Sequence, residues 1–108
     1  MAKYAVFFRF TGATIKAMMD HPSDRAAVVA KLAETAGGRM EAYYLMFGGW
    51  DGFVIAEMPD SRAAAATSLA VSSTGAFAQL QTHELMESSE LAGVLATAAS
   101  LSYTPPGG

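Results

Sequence analysis

Two apolar runs hinged on "GGWDG" constrain this chain more than any other feature. The run before the hinge, "EAYYLMF", and the run after it, "FVIAEM", are rich in aromatic and β-branched residues, which favour extended backbone. Between them Gly48, Gly49, Asp51 and Gly52 supply backbone freedom and local side-chain bonding of the kind a tight turn needs. The segment therefore predicts an antiparallel hairpin, with strands over 39–47 and 53–58.

The flanking sequence falls into place around that hairpin. Residues 3–10 alternate as a first strand, with Tyr4, Val6, Phe8 and Phe10 on one face and Ala5, Phe7 and Arg9 on the other. Thr14 to Asp20 fits a short helical turn before Pro22. A longer helix follows, with Ser23 as its expected N-cap, Ala26, Val29, Ala33 and Ala36 at helical spacing, and Arg25, Lys31 and Glu34 opposite them. Gly37 or Gly38 provides its left-handed stop. After the hairpin, Asp60 caps an alanine-rich helix whose small side chains suit close approach to a sheet, and Gly75 lies beyond its end. Residues 76–86 read as a fourth strand, with Phe77, Gln79, Gln81, His83 and Leu85 alternating against Ala78, Leu80, Thr82, Glu84 and Met86. A serine-capped amphipathic helix carrying Leu91, Val94, Leu95, Ala98 and Leu101 closes the pattern.

The order β-α-β-β-α-β predicts an α+β, ferredoxin-like fold: a four-stranded antiparallel sheet with both crossing helices on one side, plus a C-terminal helix. A chain of 108 residues with 52% hydrophobic content has room for one modest core. A single domain over 1–102 is expected, with "YTPPGG" at 103–108 as a loose tail.

Two helices cover only one face of such a sheet. Alternation predicts Phe7, Tyr43, Leu45, Phe47, Phe53, Ile55 and Phe77 on the other. Each aromatic ring removes roughly 150–250 Å² from water when buried. At about 25 cal/mol per Å², a few of them are worth several kcal/mol. A homodimer or higher homo-oligomer built face to face as a dimeric α+β barrel is the expected outcome, with the last helix closing an end or reaching across to the partner. The alternative is a monomer in which that helix folds back over its own sheet.

Charge and composition exclude several function classes. The net charge is −3, and the seven Lys and Arg are scattered without a positive stripe, so no nucleic-acid partner is expected. No apolar run approaches the roughly 20 residues of a membrane span, so no membrane partner is expected either. The absence of cysteine removes disulfides and thiolate chemistry and is compatible with the expected cytoplasmic location. There is no phosphate loop, dinucleotide glycine pattern or nucleophile elbow. No cofactor or metal is expected: Asp20 and His21 share a loop without further ligands, and nothing local marks a haem.

The opening "KYAVFFRFT", the segment "GGWDGFVIAEMPD", the alanine-rich second helix and the final strand with Thr82 together resemble the GYD-domain family, small bacterial and archaeal proteins within the dimeric α+β barrel superfamily. The naming tripeptide stands here as Gly49, Trp50 and Asp51, with tryptophan in place of tyrosine, so the side chain offers only a donor. The resemblance implies a dimeric barrel. Its superfamily includes monooxygenases, isomerases, haem-handling enzymes and ligand-sensing domains, so fold alone does not select a chemistry.

Candidate site residues follow from chemistry and face. His83 is the candidate for proton transfer, because an imidazole can give or take a proton in water, with Arg9 or Tyr43 to stabilise developing negative charge. Trp50, Asp51, Glu57 and Gln81 are candidate ligand contacts, and Glu41 and Gln79 share the same expected face. Each has a structural alternative: a turn with a packed tryptophan for the hinge, and an interface hydrogen-bond network for the polar cluster. The leading expectation is a homodimer that binds a small apolar or aromatic molecule. A cofactor-independent monooxygenase or isomerase and a structural assembly module are the alternatives.

Overall fold

A computed structural model describes residues 1–108. β1 (Ala2–Phe10) is followed by α1 (Gly12–Asp20), α2 (Arg25–Thr35), the hairpin β2 (Arg39–Leu45) and β3 (Gly52–Met58), α3 (Ser61–Ser72), β4 (Phe77–Leu85), a single 3₁₀ turn over Ser88–Glu90 and α4 (Leu91–Ser100). The sheet order is β2-β3-β1-β4 with every neighbouring pair antiparallel, the ferredoxin-like α+β arrangement with extra helices α1 and α4. No helix is long and apolar enough to cross a membrane.

Local chemistry sets the helix ends, in places one residue from the sequence expectation. The Thr11 hydroxyl accepts from the Thr14 N–H at 3.1 Å, which extends α1 back to Gly12. Asp24, not Ser23, caps α2: its carboxylate accepts from Ala27 N–H at 3.1 Å. An aspartate one step nearer the helix reaches the orphan donor that the serine cannot. Gly37 takes the left-handed stop at φ 85°. Asp60 caps α3 as expected, at 2.8 Å from Ala63 N. The approach to α4 is held by Glu90, whose carboxylate accepts from Glu87 N–H at 3.0 Å, rather than by a serine cap.

The core lies between the sheet and α2 and α3. Tyr4, Phe8, Val54, Ala56 and Met58 point from the strands toward Ala33 of α2 and Ala64 of α3. Alanine at both helix positions lets the helices sit close to the strands. Around this core Phe8 meets Tyr43, Phe10 and Phe77 with ring centroids 5.2–5.8 Å apart.

Two irregularities correct the face expected from strict alternation. The β2–β3 register shifts between Met40 and Ala42, leaving Glu41 as an extra residue, so Met40 and Tyr43 face the helices while Ala42 and Tyr44 face away. In β4 the pairing moves from Arg9↔Gln79 to Phe10↔Phe77, which sends Phe77 under the helices. A bulge inserts one residue and exchanges every side chain beyond it. Tyr43 and Phe77 therefore belong to the helix-covered side, Leu45 shares Tyr43's side by register, and Phe47 lies past the strand, fully exposed. Phe7, Phe53 and Ile55 remain on the uncovered face.

α4 stands apart from this body. Beyond the adjoining 3₁₀ turn it meets no element of the chain extensively, and every residue from Gln81 to Gly108 is exposed. Leu91, Val94 and Leu95 of α4 are among the exposed large apolar residues. The molecule extends 56 × 34 × 23 Å with a radius of gyration of 17.4 Å. A compact chain of this length would have about 13 Å.

Candidate functional site

The uncovered face carries a row of rings that crosses the sheet. Tyr44 on β2 stacks on Phe53 of β3 at 5.5 Å, Phe53 stacks on Phe7 of β1 at 5.8 Å, and Phe7 meets the edge of His83 on β4 at 6.0 Å. Toward the β2 edge, Lys3 pairs with Glu41 at 3.1 Å, and Arg39 pairs with Glu41 at 3.4 Å and with Glu57 at 3.2 Å. The Arg39 guanidinium, hydrogen-bonded to Glu57, holds that carboxyl below the usual range.

The predicted catalytic trio does not converge. His83 lies opposite Ala5, and Arg9 lies opposite Gln79, four positions further along β4. At 3.4 Å per residue their backbones are about 14 Å apart. Tyr43 is on the other side of the sheet, against Phe8. The His83 Nε2 is 3.2 Å from the Gln81 side-chain oxygen, so these two residues of β4 bond to each other, and both are exposed.

The hinge serves the sheet. Asp51 N–H donates to the Phe8 carbonyl at 2.9 Å, Met46 N–H donates to the Asp51 carbonyl at 2.9 Å, and the Asp51 carboxylate accepts from Phe10 N–H at 2.9 Å. β1 runs two residues past the point where β3 stops pairing with it, and Asp51 supplies the acceptor that the ladder lacks there. Gly52 sits where a Cβ would meet the Phe8 ring at 2.4 Å and the Tyr44 carbonyl at 2.6 Å, so no larger residue fits. Trp50 lies against Phe7, with ring centroids 5.8 Å apart, and extends the aromatic row at the end of β1.

Within one chain the concave space lies on the opposite face. A cleft of about 90 Å³ opens between α2 and α3 over all four strands, and fifteen of its nineteen lining residues are apolar, among them Phe10, Val29, Leu80 and Val71. Its polar lining reduces to a few groups. Thr67 donates to the Ala63 carbonyl, Ser68 and Thr82 bond each other at 2.8 Å, and Tyr4 donates to Glu84 at 3.0 Å. Burial pushes the Tyr43 phenol above its ordinary range, with the positive charge of Arg25 acting in the opposite sense. No cluster of three or more His, Asp or Glu is placed to hold a metal.

Arg25 corrects the reading of α2. It is half-buried and lines the cleft instead of pointing outward with Lys31 and Glu34. Its spacing to Val29, Leu32 and Ala33 is i, i+4, i+7 and i+8, which is one helix face. That spacing is the signal in the sequence that marks Arg25 as an inward residue.

Among known families, the GYD domain model matches residues 4–95, spanning all four strands and the start of α4. No curated protein matches the chain.

Proposed function

The chain belongs to the GYD domain family, and from that premise we propose that it is a homodimer that binds a small apolar molecule in the cleft between the sheet and α2 and α3. The observation that carries this reading is the cleft itself: an apolar space under the helices of a chain in which only nine of 108 residues are buried. A dry apolar cavity of about 150 Å³ is enough to take benzene. The cleft here is smaller but open along one side, so a ring enters with a modest parting of α2 and α3.

The partner reading rests on the other face. Tyr44, Phe53, Phe7 and Trp50 present a continuous apolar row, and α4 carries exposed apolar side chains of its own. A patch of this kind favours a second copy. Lys3 and Arg39 balance Glu41 and Glu57, so two such faces meet without net repulsion.

Toluene and indole serve as probes in a thermal-shift titration. Saturable stabilisation is expected in the wild type and is lost in Val71→Trp, which fills the cleft, while Phe53→Ser on the uncovered face keeps it. No stabilisation of the wild type by either probe, or equal stabilisation of Val71→Trp, rejects the cleft as the binding site.

A further inference from the structure

The geometry points to an anionic head group on the ligand: the cleft is built for a small apolar acid, an aromatic or short aliphatic carboxylate, whose carboxylate meets Arg25 and the Tyr43 hydroxyl. This rests on the proposed cleft and adds the chemical class of its occupant.

Six side chains bring a polar group to the cleft: Arg25, Thr67, Ser68 and Thr82, and the hydroxyls of Tyr4 and Tyr43, whose rings belong to its apolar lining. Four of them already bond within the chain, through the contacts to Glu84, to the Ala63 carbonyl and between the two hydroxyls on α3 and β4. Arg25 and Tyr43 have no such partner. The four ion pairs of the chain lie elsewhere, among Lys3, Lys16, Arg39 and their carboxylates. The carboxylate adjacent in sequence, Asp24, is directed to Ala27 N–H at the head of α2. The cleft thus offers the guanidinium of the half-buried Arg25 and the phenol of Tyr43, which burial pushes above its ordinary range against the opposing charge of Arg25.

Both free groups are donors, since a guanidinium never accepts and a protonated phenol gives its proton readily to a charged oxygen. A carboxylate satisfies both, whereas a neutral hydrocarbon satisfies neither and an amine meets like charge. Guanidinium and carboxylate match as a planar fork, which lysine does not reproduce. A hydrogen bond to a charged group is worth about 1.5–3 kcal/mol, so the acid is favoured over its uncharged isostere by roughly tenfold or more.

Benzoate, benzamide and toluene separate the possibilities in calorimetric titrations of the full chain. The wild type is expected to bind benzoate roughly tenfold more tightly than benzamide. Arg25→Gln should bring the benzoate and benzamide affinities together, read as their ratio so that a change in the apolar packing of the cleft cancels, and Arg25→Lys should restore part of the preference. A structural defect in Arg25→Gln would weaken all three probes together, and the toluene titration exposes it. If Arg25→Gln does not bind toluene as the wild type does, Tyr43→Phe is the second variant, expected to reduce the benzoate preference read as the same ratio. Equal wild-type affinity for benzoate and benzamide, or a preference that survives both Arg25→Gln and Tyr43→Phe, overturns the anionic head group and leaves the cleft standing. Failure of all three probes to bind the wild type rejects the cleft and this inference with it.

Discussion

At the scale of single residues, Asp51 shows how a turn signal acts at long range. Its carboxylate is 41 positions from the Phe10 N–H that it holds. Removing it leaves a partly buried donor without an acceptor, which costs about 1–3 kcal/mol. Asp51→Ala is therefore expected to lower the melting temperature by about 4–8 °C per kcal/mol lost. Asp51→Asn retains an oxygen acceptor and should recover much of that loss. Chemical denaturation of the three proteins checks the order, and an Asp51→Ala protein as stable as the wild type refutes the role. The turn itself is legible in "GGWDG", because glycine and aspartate have local preferences that need no partner. The carboxylate's destination is not legible, because it depends on where β1 and β3 stop pairing.

Neighbouring residues of one strand separate the two faces at the scale of elements. Tyr43 packs on Phe8 under the helices, whereas Tyr44 stacks on Phe53 on the uncovered side and is 61% exposed. Tyr43→Ala is expected to destabilise the folded chain by about 2–4 kcal/mol, since it empties a core contact. Tyr44→Ala should leave the stability of the folded chain within about 1 kcal/mol and weaken the proposed self-association instead. Urea denaturation at two protein concentrations distinguishes them, and equal effects for the two variants would contradict the face assignment. The charged edge of the same face adds a dependence on pH. Because Arg39 lowers the folded-state pKa of Glu57, that carboxylate contributes stability above its unfolded value of 4.5 and loses it as pH falls through the lower folded value. Glu57→Gln should therefore flatten the acid limb of the stability profile, and an unchanged limb would argue against the pair. Strand existence and type were readable from β-branched and aromatic runs, and Phe7, Phe53 and Ile55 were readable as a face. Tyr43 and Phe77 were not, because the extra residues at Glu41 and Ala78 follow from pairing between strands and leave no local mark.

For the whole molecule, the question is what α4 does with its apolar side. A lone helix of ten residues is marginal in water, since too few hydrogen bonds repay its nucleation. Such a helix calls for tertiary support, and within one chain α4 meets only the adjoining 3₁₀ turn extensively. In the homodimer proposed above, a two-fold copy would supply it reciprocally, each α4 lying on the other subunit while the two aromatic faces close against each other. The full chain is then expected to be a dimer by light scattering, with a melting temperature that rises with protein concentration. Deletion of residues 88–108 should shift the population toward monomer while leaving the four-stranded body and its cleft folded, because the buried core draws on no residue beyond Leu80. Phe53→Ser should act in the same direction from the other surface, and the two changes combined should be less than additive if both act on one interface. A full-length chain that stays monomeric at high micromolar concentration, or a deletion that leaves the dimer intact, would place the cover for α4 somewhere other than a second copy.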